Sequence, residues 1–124
     1  MVFHTKATST PLGNGQWRLE VDLVYEGARD WFMVPTGFLH DFASVPRIVW
    51  PLVGPVGNHA EAAVLHDWLY QAQPCSRADA DGIFSRCLQE AGLSWWKRRA
   101  MFRAVRLFGW RYWNRNRPRD PGPG

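Results

Sequence analysis

The sequence is short of several things, and each shortage excludes something. It has 2 cysteines among 124 residues, Cys75 and Cys87, too few for a disulfide framework. They stand twelve apart, on or beside one expected helix, too far along its axis to bridge, so they read as reduced thiols. No run of 18 apolar residues occurs, so no membrane-spanning helix is expected. Met1-Val2-Phe3-His4 has no basic stretch leading into an apolar one, which is not the pattern of a secretory leader. HExxH, paired CxxC, EF-hand and GxSxG patterns are all missing. Acidic residues run out late in the chain: after Leu93 the only one is Asp120, against nine lysines and arginines.

That last shortage gives the net charge of +4 its meaning. Residues 94–124 carry a net +8 and residues 1–93 a net −4, so the total describes an acidic body with a basic C-terminal segment. A hydrophobic fraction of 46% and a charged fraction of 21% exclude wholesale disorder and suit one globular domain. The expected boundaries are residues 1–114 for the domain and 115–124 for a basic, Pro/Gly-rich, disordered tail.

The first half reads as β. Gln16–Tyr25 alternates apolar and polar residues, the period of a half-buried strand, with Gly13-Asn14-Gly15 as the turn before it and Phe3–Thr8 as its hairpin partner. Trp31–Val34 is a short strand stopped by Pro35, and Thr36–Leu39 continues the sheet beyond a kink. The segment 41–57 is rich in Pro and Gly yet carries Phe42, Val45, Ile48, Val49, Trp50 and Leu52, so it reads as a packed loop. The second half reads as α. One helix runs over about 59–72, with Asn58 and Glu61 as a capping pair. A second opens at Ser76 with Asp79 and closes at Gly92, and a third opens at Ser94 and runs to about Asn114. The expected fold is α+β: a small N-terminal antiparallel β-sheet packed against three C-terminal α-helices.

Polar residues on the first helix draw attention. In Ala62-Ala63-Val64-Leu65-His66-Asp67-Trp68-Leu69-Tyr70, His66 and Tyr70 share a face, whereas His66 and Asp67 lie about 100° apart. A base at His66 therefore needs its carboxylate from elsewhere: Asp79 or Asp81 on the second helix, or Asp41. The alternative is structural, with Asp67 accepting from backbone amides of the 41–44 loop or pairing with Arg47. Ser44 is a candidate nucleophile beside His66, and Arg47 a candidate anion clamp. A divalent metal, calcium or zinc, could use Asp67 or Asp41 with loop carbonyls, or His66 with Asp41 and Asp81. On the third helix Trp96, Arg99, Arg103 and Arg106 are the expected binding residues. Basic residues interleaved with aromatics suit a protein interface first and nucleic acid second.

Taken together, Val34-Pro35-Thr36-Gly37-Phe38, Asp41-Phe42-Ala43-Ser44-Val45-Pro46-Arg47, Ala62 to Tyr70, Arg77 with Asp81 and Phe84, and Ala104-Val105-Arg106 with Gly109 resemble a family of small phage and prophage proteins grouped as a domain of unknown function. The resemblance covers residues 3–113; His40 stands where the family more usually has Thr. It implies a bacteriophage or prophage source and a virion or assembly role, tail-associated, with other phage structural proteins as partners. The expected location is the host cytoplasm during synthesis and then the virion. Separately, His66-Asp67-x-x-Tyr70 is similar to the helix motif of secreted phospholipases A2. That likeness implies His66 as general base, Asp67 as calcium ligand, Asp81 as orienting carboxylate supported by Tyr70, and loop carbonyls near Gly54 and Gly57. The disulfides and the glycine spacing of that family's loop are missing. A metal-assisted hydrolase acting on a phospholipid or cell-wall substrate is thus the alternative to a contact protein.

Overall fold

A computed structural model describes residues 2–27, 30–42, 44–45, 51 and 59–116. Among the described residues six short strands come first: β1 (Val2–Phe3), β2 (Ser9–Pro11), β3 (Trp17–Leu19), β4 (Leu23–Glu26), β5 (Trp31–Val34) and β6 (Leu39–His40). Four helices follow: α1 (His59–Ala72), α2 (Arg77–Glu90), α3 (Trp95–Phe108) and α4 (Trp110–Asn116). The architecture is α+β, as the sequence pattern implies.

The strands form two three-stranded antiparallel sheets, ordered β1-β4-β5 and β2-β3-β6. Their registers show them to be one meander interrupted in the middle. Val2 faces Glu26 and Ser9 faces Leu19, so the same seven-residue step separates the pairs on both strands. Trp17 faces His40 and Leu23 faces Val34, an equal six-residue step on each side. Three segments, 2–11, 17–26 and 31–40, therefore run in unshifted register with residues 17–26 in the centre.

The break has a local cause. Pro35 has no N–H for the ladder. Phe38 N–H donates to Pro35 O at 3.1 Å, closing a turn whose third residue is Gly37 at φ +91°. Side chains take over from the backbone here. Asp22 Oδ1 accepts from Thr36 N–H at 2.8 Å and from its hydroxyl at 2.7 Å, and the Thr5 hydroxyl donates to Asp22 O at 2.7 Å.

The helices obey their sequence signals unevenly. Ser76 Oγ accepts from Asp79 N–H at 3.1 Å, and Gly92 at φ +89° ends the same helix. Glu61 ties α1 to the sheet, its carboxylate accepting the Ala7 N–H at 3.1 Å. Asn58 lies outside the described residues. The third helix is shorter than its apolar spacing suggests. It stops at Phe108, and Gly109 separates it from α4.

Leu19, Leu23, Tyr25 and Val34 from the sheet meet Val64, Leu65 and Leu69 of α1 and Ile83, Phe84 and Leu88 of α2 in one buried cluster. Met101 and Val105 of α3 and Tyr112 and Trp113 of α4 complete it. Cys75 and Cys87 are free thiols. Among the described residues no helix is long and apolar enough to cross a membrane.

Candidate functional site

Helix α1 is covered on more than one side, so its polar residues meet protein rather than water. His66, Asp67, Ser44 and Asp81 are all fully buried. His66 points toward α2 and Asp67 toward the loop that follows β6, the divergence their adjacent positions demand.

Asp81 gathers donors from three helices. Its Oδ1 lies 2.7 Å from His66 Nε2 and accepts from the Tyr70 hydroxyl at 2.6 Å. Its Oδ2 accepts from Arg106 at 3.0 Å and pairs with Arg77 at 3.7 Å. Arg77 also donates to Val105 O at 3.3 Å and Arg106 O at 3.0 Å, placing a cation at the last carbonyls of α3. Burial, then the neighbouring Asp81 charge, pushes the Tyr70 phenol well above its ordinary pKa, so it remains a donor. The His66 ring is packed between Tyr70 and Phe84, with centroids 4.3 and 4.6 Å away.

Asp67 clamps the loop. Its carboxylate accepts from Phe42 N–H at 2.8 Å, from Ser44 N–H at 3.2 Å and from the Ser44 hydroxyl. Phe42 is held at φ +60°, a left-handed conformation that disfavours a bulky side chain, and the hydrogen bond from its N–H to Asp67 helps fix it there. Ser44 Oγ also lies 2.8 Å from His66 Nδ1. The side chains thus form one line, Asp67–Ser44–His66–Asp81.

Counting hydrogens constrains that line. Ser44 has one hydroxyl hydrogen. If it goes to Asp67, His66 Nδ1 must donate to Ser44 and the ring carries both hydrogens. If it goes to His66, Ser44 must accept from a protonated Asp67. Burial, opposed by the bond from Ser44, pushes the Asp67 carboxyl up to about 6, which brings the second arrangement within reach. Both arrangements contain the same number of protons, shifted along the row.

The remaining expected residues are placed as follows. Asp41 is half-buried and lines a small polar cavity of about 160 Å³ with Gln71, Tyr112 and Arg115. Arg47, Gly54 and Gly57 lie outside the described residues. Trp96, Arg99 and Arg103 are on the exposed side of α3, but Arg106 reaches back to Asp81. The roles of Arg77 and Arg106 were not foreseen. The i,i+4 spacing of Arg77 and Asp81 on one helix is a usable signal for the first.

For a metal, the geometry is unhelpful. Both ring nitrogens of His66 face hydrogen-bond partners, and both oxygens of Asp67 accept from N–H or O–H groups rather than facing a gap. Among the described residues no group of three His, Cys, Asp or Glu side chains is placed to hold an ion. The loop carbonyls near Gly54 and Gly57 that a calcium site would use lie outside the described residues. Asp67 holds backbone amides.

No solved structure matches the chain. An uncharacterized protein of Sinorhizobium fredii, y4jT, is 32% identical over 78 residues, a match that takes in 61% of this chain but only 23% of that relative. The chain thus spans under a quarter of the length of the curated relative it matches. A family model described as "Protein of unknown function (DUF1353)" matches residues 17–105, most of the chain and all the elements from β3 to α2, and the chain belongs to that family.

Proposed function

We propose that the protein is a bacteriophage or prophage component of the virion or its assembly, tail-associated, made in the host cytoplasm and acting through protein contacts at α3. The observation that carries this reading is the pair Trp96 and Leu107, 53% and 50% exposed. They stand three turns apart on one stripe of the helix. Large apolar side chains left uncovered in a stripe suit a docking surface, and Trp is a favoured anchor. The buried polar row faces away from this surface and is saturated with internal partners, which suits a structural brace. The test is co-purification with virions and assembly intermediates, wild type against Trp96→Ser and Leu107→Ser. Absence of the wild type from both sinks the reading. Equal incorporation of the variants removes α3 from it.

A second reading, a hydrolase of a phospholipid or cell-wall substrate, is favoured by the Ser44–His66–Asp81 row. In it, Ser44 Oγ attacks a carbonyl or phosphoryl centre while His66 Nδ1 takes its proton and returns it to the leaving oxygen or nitrogen; water, deprotonated by His66, then attacks the ester on Ser44, and the proton goes back to Ser44 Oγ as that bond breaks. Asp81 and Tyr70 hold the ring. The test is labelling of Ser44 by a fluorophosphonate together with turnover of phospholipid vesicles and peptidoglycan. Labelling and turnover that both vanish in His66→Ala support it; neither in the wild type removes it.

A further inference from the structure

The side of α3 that borders α2 adjoins the Trp96–Leu107 stripe. Trp95, Arg98, Arg99, Phe102 and Arg103 recur at helical spacing and, with Ser85 of α2, line a groove of about 440 Å³. No carboxylate is among its lining residues. Arg77 and Arg106 are engaged at Asp81, but none of the guanidinium groups of Arg98, Arg99 and Arg103 is held in an ion pair or hydrogen bond with a described residue. Trp95 is 66% exposed. From Trp95 to Arg103 the helix advances about 12 Å.

Guanidinium groups with no counter-charge among the described residues, beside exposed aromatic faces, attract an anion that also presents flat rings. An acidic peptide would use the charges and leave the aromatic faces idle. A duplex would present phosphates but keep its base faces stacked away. The net −4 of residues 1–93 repels a polyanion elsewhere, confining contact to this segment. We propose that the groove binds single-stranded nucleic acid, with phosphates on Arg98, Arg99 and Arg103 and a base stacked on Trp95. This goes beyond the protein-contact reading, which rests on Trp96 and Leu107.

The experiment is fluorescence anisotropy of labelled oligodeoxythymidylate with the full chain across a salt series. Poly-glutamate and a DNA duplex serve as competitors. The altered residues are exposed or half-buried, and thermal melting checks that each variant folds. The wild type should bind at low salt. Each of Arg99→Ala and Arg103→Ala should lower the salt slope by about 0.7. Trp95→Ala should weaken binding about tenfold at fixed salt and leave the slope unchanged. Trp96→Ser should have no effect. Absence of binding at low salt overturns the proposal. So does competition by poly-glutamate or duplex as strong as by unlabelled oligonucleotide, with Trp95→Ala without effect; that outcome assigns the groove to another polyanion.

Discussion

Ser44 Oγ stands between two groups that both want its single hydrogen, His66 Nδ1 at 2.8 Å and the carboxylate of Asp67. The hydroxyl bridges the loop after β6 to two side chains of α1, and His66 carries the row on to Asp81 of α2. Ser44→Ala removes that bridge, leaves the Phe42 and Ser44 amides on Asp67, and takes one partner each from His66 and Asp67. It should lower unfolding stability by about 1–3 kcal/mol, measured as the urea midpoint at constant m-value. A loss within error would mean that the bond makes no net contribution.

Asp81 should be the costlier loss. Two guanidinium groups, an imidazole and a phenol converge on its carboxylate with no exposure to solvent. Asp81→Asn cannot accept from all of them and leaves Arg77 and Arg106 without their shared counter-charge. Breaking a buried pair in this way costs about 3–5 kcal/mol. Denaturant unfolding checks it, and a loss under 1 kcal/mol would show that the arginines reach other acceptors.

Two glycines in helical surroundings should respond oppositely to alanine. A Cβ on Gly109 would lie 2.5 Å from Val105 O and 2.6 Å from the Tyr70 hydroxyl, whereas one on Gly82 meets nothing. Gly109→Ala should therefore destabilise by about 1–3 kcal/mol, and Gly82→Ala stabilise by about 0.5–1 kcal/mol. Thermal melts of the two variants decide this by their sign.

Acid should expose the strain at His40. Burial holds its imidazole down to about 4, against an ordinary 6.5. Between those values the unfolded chain takes up a proton that the folded chain refuses. Stability from this group is therefore full above 6.5 and is lost as pH falls toward 4. Asp67 works in the other direction. Pushed up to about 6 from 3.8, it favours the folded state as pH falls through that window. The whole protein reports the sum, so the variant difference is what isolates His40. His40→Thr should gain on the wild type by about 2–3 kcal/mol between pH 7 and pH 4. A pH-independent difference would mean that His40 does not titrate differently in the two states.

How legible all this was in the sequence depends on how local each cause is. Ser76, Asp79 and Gly92 bound α2 through contacts within a few residues, and they read correctly. So did the kink at Pro35, and the divergence of His66 from Asp67 followed from helix geometry alone. Tertiary pairing was hidden. Nothing near Glu61 announces that its carboxylate accepts an amide 54 positions away. Arg106 shares a stripe with Arg99 and Arg103, but its long side chain turns back to Asp81. The break at Gly109 was masked because apolar residues keep helical spacing through it, from Val105 to Tyr112. Nothing in the spacing told that Tyr70 needs the room a side chain there would fill.

The most direct test of the buried row as a brace is native-state hydrogen exchange at the amides of Phe42 and Ser44, both of which donate to Asp67. In the wild type these amides should exchange only through openings nearly as costly as global unfolding, and Asp67→Ala should collapse their protection while the α2 amides stay protected. Rapid exchange of both in the wild type would contradict this, because it would mean that the loop leaves Asp67 freely and that the Ser44–His66–Asp81 row opens to solvent.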